Sequence, residues 1–216
     1  MKKQIIEKPI LFKPEMVAAI LKNNKIVTRR VLKKQPPKCI DKMYIVTQYR
    51  ACGESTGIGY PILDIKPVFW NGLYLWVKEA WSIVQYDNNS GYELTVMYKD
   101  KKTSPVIEIE DETQWEKLID REEKFLKKNG AGKYLWRSSM FMFRAFSRIT
   151  LKVKDVRIER LQELDNTEAV LEGCKDRADY ARLWDEINKT PGYTWKDNPW
   201  VYRIQFEKVL NAGNAG

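Results

Sequence analysis

The chain has 216 residues, 44% hydrophobic and 31% charged, with a formal net charge of +9. That length can bury a real core in one large domain or two small ones, and the positive balance favours a polyanionic partner. No histidine occurs, which excludes His-based acid–base catalysis, Ser-His and Cys-His nucleophile pairs and histidine-bearing metal sites.

The opening MKKQIIEKPILF starts basic, but Glu7 and Pro9 break it before an adequate apolar stretch, and no later stretch is long enough to span a membrane. It is not a signal peptide, and a cytoplasmic protein with no membrane partner is expected. Pro14 suits the first turn of a helix over 14–22, with Met16, Val17, Ile20 and Leu21 on one face. Asn23 and Asn24 can stop it, because asparagine tolerates the left-handed conformation. Residues 22–38 then carry Lys22, Lys25, Arg29, Arg30, Lys33, Lys34 and Lys38 without an acidic residue. So basic a run is expected to face water or an anion rather than a core, with Lys25 to Arg30 leaving the helix as an extended segment. Residues 35–66, with Pro36-Pro37, Gly53, Gly57 and Gly59, read as a long loop, and Gly53-x-x-x-Gly57 lacks the Gly-Lys-Ser/Thr of a P-loop.

Residues 73–81 and 92–98 read as strands. Between 107 and 123 the charge reverses, and Trp115, Leu118, Ile119 and Leu126 mark a helical stripe ended by Gly130. This acidic helix is expected to decorate the domain. Residues 148–158 alternate Ile149, Leu151 and Val153 with Arg148, Lys152 and Lys154, then slip one residue to Val156 and Ile158, which predicts a β-bulge in a long strand. Asp165 and Glu168 cap a short helix ending at Gly173. Tyr180, Leu183, Trp184 and Ile187 stripe a second helix, and 200–207 form the last strand before a tail expected to be disordered. Strands interrupted by helices without βαβ repeats indicate an α+β domain with a curved sheet or small barrel.

Cys39, Cys52 and Cys174 are widely spaced with no CxxC pair. They read as reduced thiols rather than a disulfide framework or a zinc site, and no metal or cofactor is expected. Lys25 and Thr28 could form a histidine-free base–nucleophile pair if Arg29 and Arg30 lower the lysine pKa. On spacing alone, a solvated basic turn is the stronger reading. Residues 133–154 interleave Lys133, Arg137, Arg144, Arg148, Lys152 and Lys154 with Tyr134, Trp136, Phe141, Phe143 and Phe146. That pattern fits single-stranded nucleic acid or a flipped nucleotide, and equally a connector whose aromatics enter the core. Glu172 by itself reads as a solvated helix carboxylate.

In order along the chain, several segments resemble the ASCH superfamily, a PUA-like fold, and its larger phage and prophage members. They are Pro9-Ile10-Leu11-Phe12 with Lys25-x-x-Thr28-Arg29-Arg30, then Leu75-Trp76-Val77-Lys78-Glu79-x-Trp81. Trp136-Arg137-Ser138-Ser139-Met140, Ser147-Arg148-Ile149-Thr150-Leu151, Glu168-Ala169 with Glu172-Gly173, and Asn198-Pro199-Trp200-Val201 follow. The resemblance implies one domain over 1–210 with insertions near 36–65 and 85–132, built as a mixed β-barrel flanked by helices. It also implies a basic cleft for RNA, DNA or a modified nucleoside, in a bacterial or phage-infected cell. Lys25, Thr28, Arg29, Arg30, Trp76, Glu79, Trp136, Arg137, Ser138 and Glu172 would line that cleft. Some small members are amidohydrolases that deacylate N4-acetylcytidine with a Lys, a Thr and a Glu. By resemblance these fall on Lys25 as base, Thr28 as nucleophile and Glu172 as the group that orients or shuttles the proton. Asn23, Ile26 and Leu73 depart from the family pattern, which bears on substrate more than on fold. A phage accessory module whose insertions bind another protein is the third expectation.

Overall fold

The computed structural model describes residues 6–35, 68–87, 92–130 and 135–209. The glycine-rich stretch at 36–66, Lys38, Cys39, Cys52, Lys133, Tyr134 and the tail lie outside the described residues. The elements run β1 (Glu7–Leu11), α1 (Pro14–Leu21), β2 (Val27–Val31), β3 (Tyr74–Lys78), β4 (Trp81–Asp87), β5 (Glu93–Tyr98) and β6 (Ile107–Glu108). Then come α2 (Glu112–Asn129), β7 (Thr150–Arg160), α3 (Asn166–Leu171), α4 (Arg177–Ile187) and β8 (Trp200–Val209). The chain is thus mixed α+β.

Local chemistry explains the boundaries. Asn23 takes a left-handed φ of 59° after α1, as asparagine can. Asp111, Asp165 and Asp176 each accept a backbone N–H in the first turn of α2, α3 and α4 respectively, satisfying donors that a helix start leaves unpaired. Gly130 closes α2 by donating to the Leu126 carbonyl. β7 is one continuous eleven-residue strand whose burial weakens past Val153, and a register shift is seen in β4 between Ile83 and Gln85.

The strands form a five-stranded sheet, β1-β3-β7-β8-β2, and a three-stranded sheet, β4-β5-β6. Among the described residues the expected barrel is therefore an open sheet with β1 and β2 as its end strands. Ahead of β2, Lys25 bridges to Glu172 and the Ile26 N–H donates to the Leu171 carbonyl. These bonds to the end of α3 satisfy the backbone leading into an end strand without ring closure.

The fold separates into two compact units. In their described residues, the first is built from Ile6 with those of Ala19–Tyr74 and Lys152–Glu207, the second from those of Glu7–Ala18 and Leu75–Leu151 with Lys208 and Val209. In the first, Leu161, Leu164, Ala169, Tyr180, Trp184 and Val201 share a core. That core, and the bonds of Arg203 described below, bury Val201 and Arg203 as well as the Trp200, Tyr202, Ile204 and Phe206 set. Strand β8 is therefore buried on both faces from Trp200 to Ile204, and its polar side chains reach water only towards Glu207. In the second unit Trp81, Leu94, Val96, Tyr98, Trp115, Leu118, Met142 and Phe146 pack together. Trp115 and Leu118 bring α2 into that core, so the acidic helix is structural rather than a decoration.

Candidate functional site

The candidate residues divide between the units. Lys25, Thr28, Arg29, Arg30 and Glu172 belong to the first; Trp76, Glu79, Trp136, Arg137 and Ser138 belong to the second.

In the first unit two helix ends meet. After α1, the Asn24 and Lys25 N–H groups both donate to the Ala19 carbonyl, at 2.8 and 3.3 Å. After α3, Gly173 turns the chain with φ +82°, and a Cβ there would stand 3.0 Å from the Ala19 Cβ and 3.3 Å from the Lys25 Cβ. Only glycine accepts both the left-handed backbone and that approach. The close contact aims Lys25 at Glu172. Its Nζ donates to Glu172 Oε2 at 2.5 Å and to the Glu172 main-chain carbonyl at 2.8 Å.

Arg29 completes the cluster from β2. Its Nε donates to Glu159 Oε1 at 2.8 Å, Nη1 to Glu172 Oε1 at 3.2 Å and Nη2 to Glu168 Oε2 at 2.8 Å. The β2–β8 register sets Arg203 directly opposite Arg29. Arg203 forks onto both Glu168 oxygens, each at 2.8 Å. Two neighbouring arginines, which would repel, are thus held by a shared carboxylate.

Lys25 is 1% exposed, Glu172 3% and Arg29 4%. The basic run was expected to stay out of the core; here its inner part is buried, because Glu159, Glu168 and Glu172, all distant in sequence, neutralise it. Glu172 is likewise not a solvated helix carboxylate. The outer Lys22, Lys33 and Lys34 are exposed, and Arg30 is half-buried. Thr28 is buried opposite Ile204, on the strand face that alternates with that of Arg29. Among the described residues its hydroxyl makes no hydrogen bond to Lys25 or Glu172.

Electrostatics follow from this burial. Desolvation pushes the Lys25 ammonium below the ordinary lysine range, while the Glu172 carboxylate pulls it back. Burial raises Glu159 against the pull of Arg29. The hydrogen bonds from Arg203, and then those from Arg29, outweigh burial and hold Glu168 down at about 2. Burial raises the Tyr180 phenol well above its ordinary value and the Cys174 thiol to about 11, so neither is an anion at neutral pH. The result is an ammonium and a carboxylate side by side in a dry setting, able to donate, accept or pass a proton.

In the second unit Glu79 is buried and gripped by Arg148, Nε to Oε1 at 2.9 Å and Nη2 to Oε2 at 2.8 Å. Arg148 also donates to Asp100 Oδ2 at 2.9 Å and lies 3.9 Å from the Tyr98 ring centre. Burial raises the Glu79 carboxyl, opposed by Arg148. Arg137 pairs with buried Glu122 of α2 and sits over the Trp81 ring at 5.0 Å and the Phe125 ring at 4.5 Å. Trp136 is half-buried with Lys99 3.9 Å from its ring centre, and Trp76 is half-buried with Lys78 at 5.4 Å. Ser138 is exposed, its hydroxyl accepting the Met140 N–H. Glu122 and Arg203 escaped the sequence reading because no spacing rule links them to partners that the sheet register or tertiary packing supplies.

Comparison with known proteins finds no matching family model, curated protein or solved structure. Among the described residues no trio of Cys, Asp or Glu side chains is placed to hold a metal ion, and no helix is long and apolar enough to cross a membrane.

Proposed function

We propose that this chain is an ASCH-type, PUA-like protein that binds RNA, DNA or a modified nucleoside. One observation carries the reading: the buried Lys25 ammonium lies 2.5 Å from the Glu172 carboxylate, with Arg29 on the other carboxylate oxygen. Buried ions cost stability unless well paired, so such a cluster where two helix ends meet a strand is a functional-site candidate. A base that displaced Lys25 from Glu172 would meet an acceptor beside a donor, the carboxylate taking the exocyclic amine of a cytosine-type base while the cation serves the neighbouring ring acceptor. The exposed Lys22, Lys33 and Lys34 are suited to phosphate. Anisotropy titration of labelled single-stranded RNA and DNA across a salt series tests this. Affinity should fall with salt, and Glu172→Gln should weaken competition by free nucleosides; salt-independent binding, or none, sinks the proposal.

A second reading is hydrolysis of an N-acylated cytidine, with Lys25 as base, Thr28 as nucleophile and Glu172 as its partner. The lowered lysine pKa favours it. Incubation with N4-acetylcytidine should show turnover by the native chain and loss of turnover in Lys25→Ala. Equal turnover by both, or none, rejects the hydrolase.

A further inference from the structure

Residues 138–146 hold two successive 3-10 turns, 139–141 and 144–146. The first is fastened twice. The Ser138 hydroxyl accepts the Met140 N–H, and the Lys78 ammonium donates to the Met140 carbonyl. A turn held this way still presents Met140 at 62% and Phe141 at 68% exposure. Beside them Phe143 shows an outer part while its ring packs edge-on against Phe146, centres 5.4 Å apart. Contiguous apolar groups turned to water on an ordered element mark a binding surface.

Charge selects the partner. Arg121 stands 5.7 Å from the Phe143 ring centre, and Lys78 reaches the turn carbonyl while lying 5.4 Å from Trp76. Neither cation has a carboxylate partner among the described residues, whereas the deeper Arg137 and Arg148 are neutralised by Glu122 and Glu79. Apolar rings flanked by unneutralised cations suit a polymer that alternates flat bases with phosphates.

We propose that Met140, Phe141 and Phe143 form a stacking platform for single-stranded nucleic acid, with a base on Phe141 and phosphates on Lys78 and Arg121. This rests on the nucleic-acid reading above and moves the polymer contact away from residues 25–30. A duplex keeps its bases stacked on each other, so single strands are the preferred form.

The test compares native chain, Phe141→Ala and Phe141→Tyr by anisotropy with labelled twelve-base oligo(U), oligo(dT) and a duplex of equal length, alongside sedimentation of the protein alone. Because Phe141 is exposed, the fold should survive both changes, which circular dichroism checks. Phe141→Ala should weaken single-strand binding about tenfold and Phe141→Tyr restore it, with little change for duplex. If Phe141→Ala binds single strands like the native chain, the platform is wrong while the broader reading stands. Should the native chain bind no oligonucleotide at low salt, both fall. A self-associating native chain that Phe141→Ala renders monomeric, with oligonucleotide binding unchanged, makes this face a protein interface and overturns the platform.

Discussion

Gly173 shows how much one residue decides. Its φ of +82° is matched by Gly192 at +86°, yet a Cβ at Gly192 would meet nothing within 4 Å, while at Gly173 it would meet Ala19 and Lys25. Gly192→Ala should cost about 1 kcal/mol for the backbone alone. Gly173→Ala should cost about 1–3 kcal/mol more and disturb the Lys25–Glu172 contact; urea unfolding of the two variants measures the difference. Glu168 makes a pH-dependent contribution. Its folded carboxyl sits at about 2 against an ordinary 4.5, so its stabilisation is complete above pH 4.5 and is lost as pH falls towards 2. Thermal midpoints of Glu168→Gln should therefore start lower at neutral pH and decline less steeply across that acid window. Neither residue announced its role in the sequence: Gly173 read as a helix stop and Glu168 as half of a capping pair.

Among the elements, α2 departs most from its sequence reading. The stripe of Trp115, Leu118, Ile119 and Leu126 and the stop at Gly130 marked the helix correctly, because amphipathic period and caps are local properties. What it packs against was not local. Glu122 turns inward to Arg137, so removing it strands a buried guanidinium. Glu122→Ala should destabilise the chain by about 3–5 kcal/mol, and Glu122→Leu with Arg137→Met should recover most of that loss, read by denaturant midpoint. Strand β2 carries the same lesson. Its extended form after Asn23 was legible, but the register that sets Arg29 beside Arg203, with Glu168 between them, arises only in the sheet.

For the whole molecule, the count of 38 lysines and arginines overstates the cations that a partner can meet. Lys25 and Arg29 are neutralised inside, so Arg29→Ala should lower stability without changing the salt slope of oligonucleotide binding. Replacing Lys33 and Lys34 with alanine should flatten that slope by about 0.7 per lysine if both meet phosphates. Titration at several salt concentrations separates the two effects.

The sequence by itself determined the α+β class, the helix over 14–22 with its asparagine stop, the capped α3, the apolar stripe of α4, the acidic α2 and the closing strand. Each rests on short-range periodicity, capping or turn chemistry. Only the tertiary structure decided that the sheet is open, that Glu172 is buried and that the inner basic residues are paired inside. Those outcomes depend on carboxylates more than a hundred residues away from Lys25 and Arg29, and on strand register. Charge counted along a chain says which ions exist, while burial and pairing decide which of them a partner can meet.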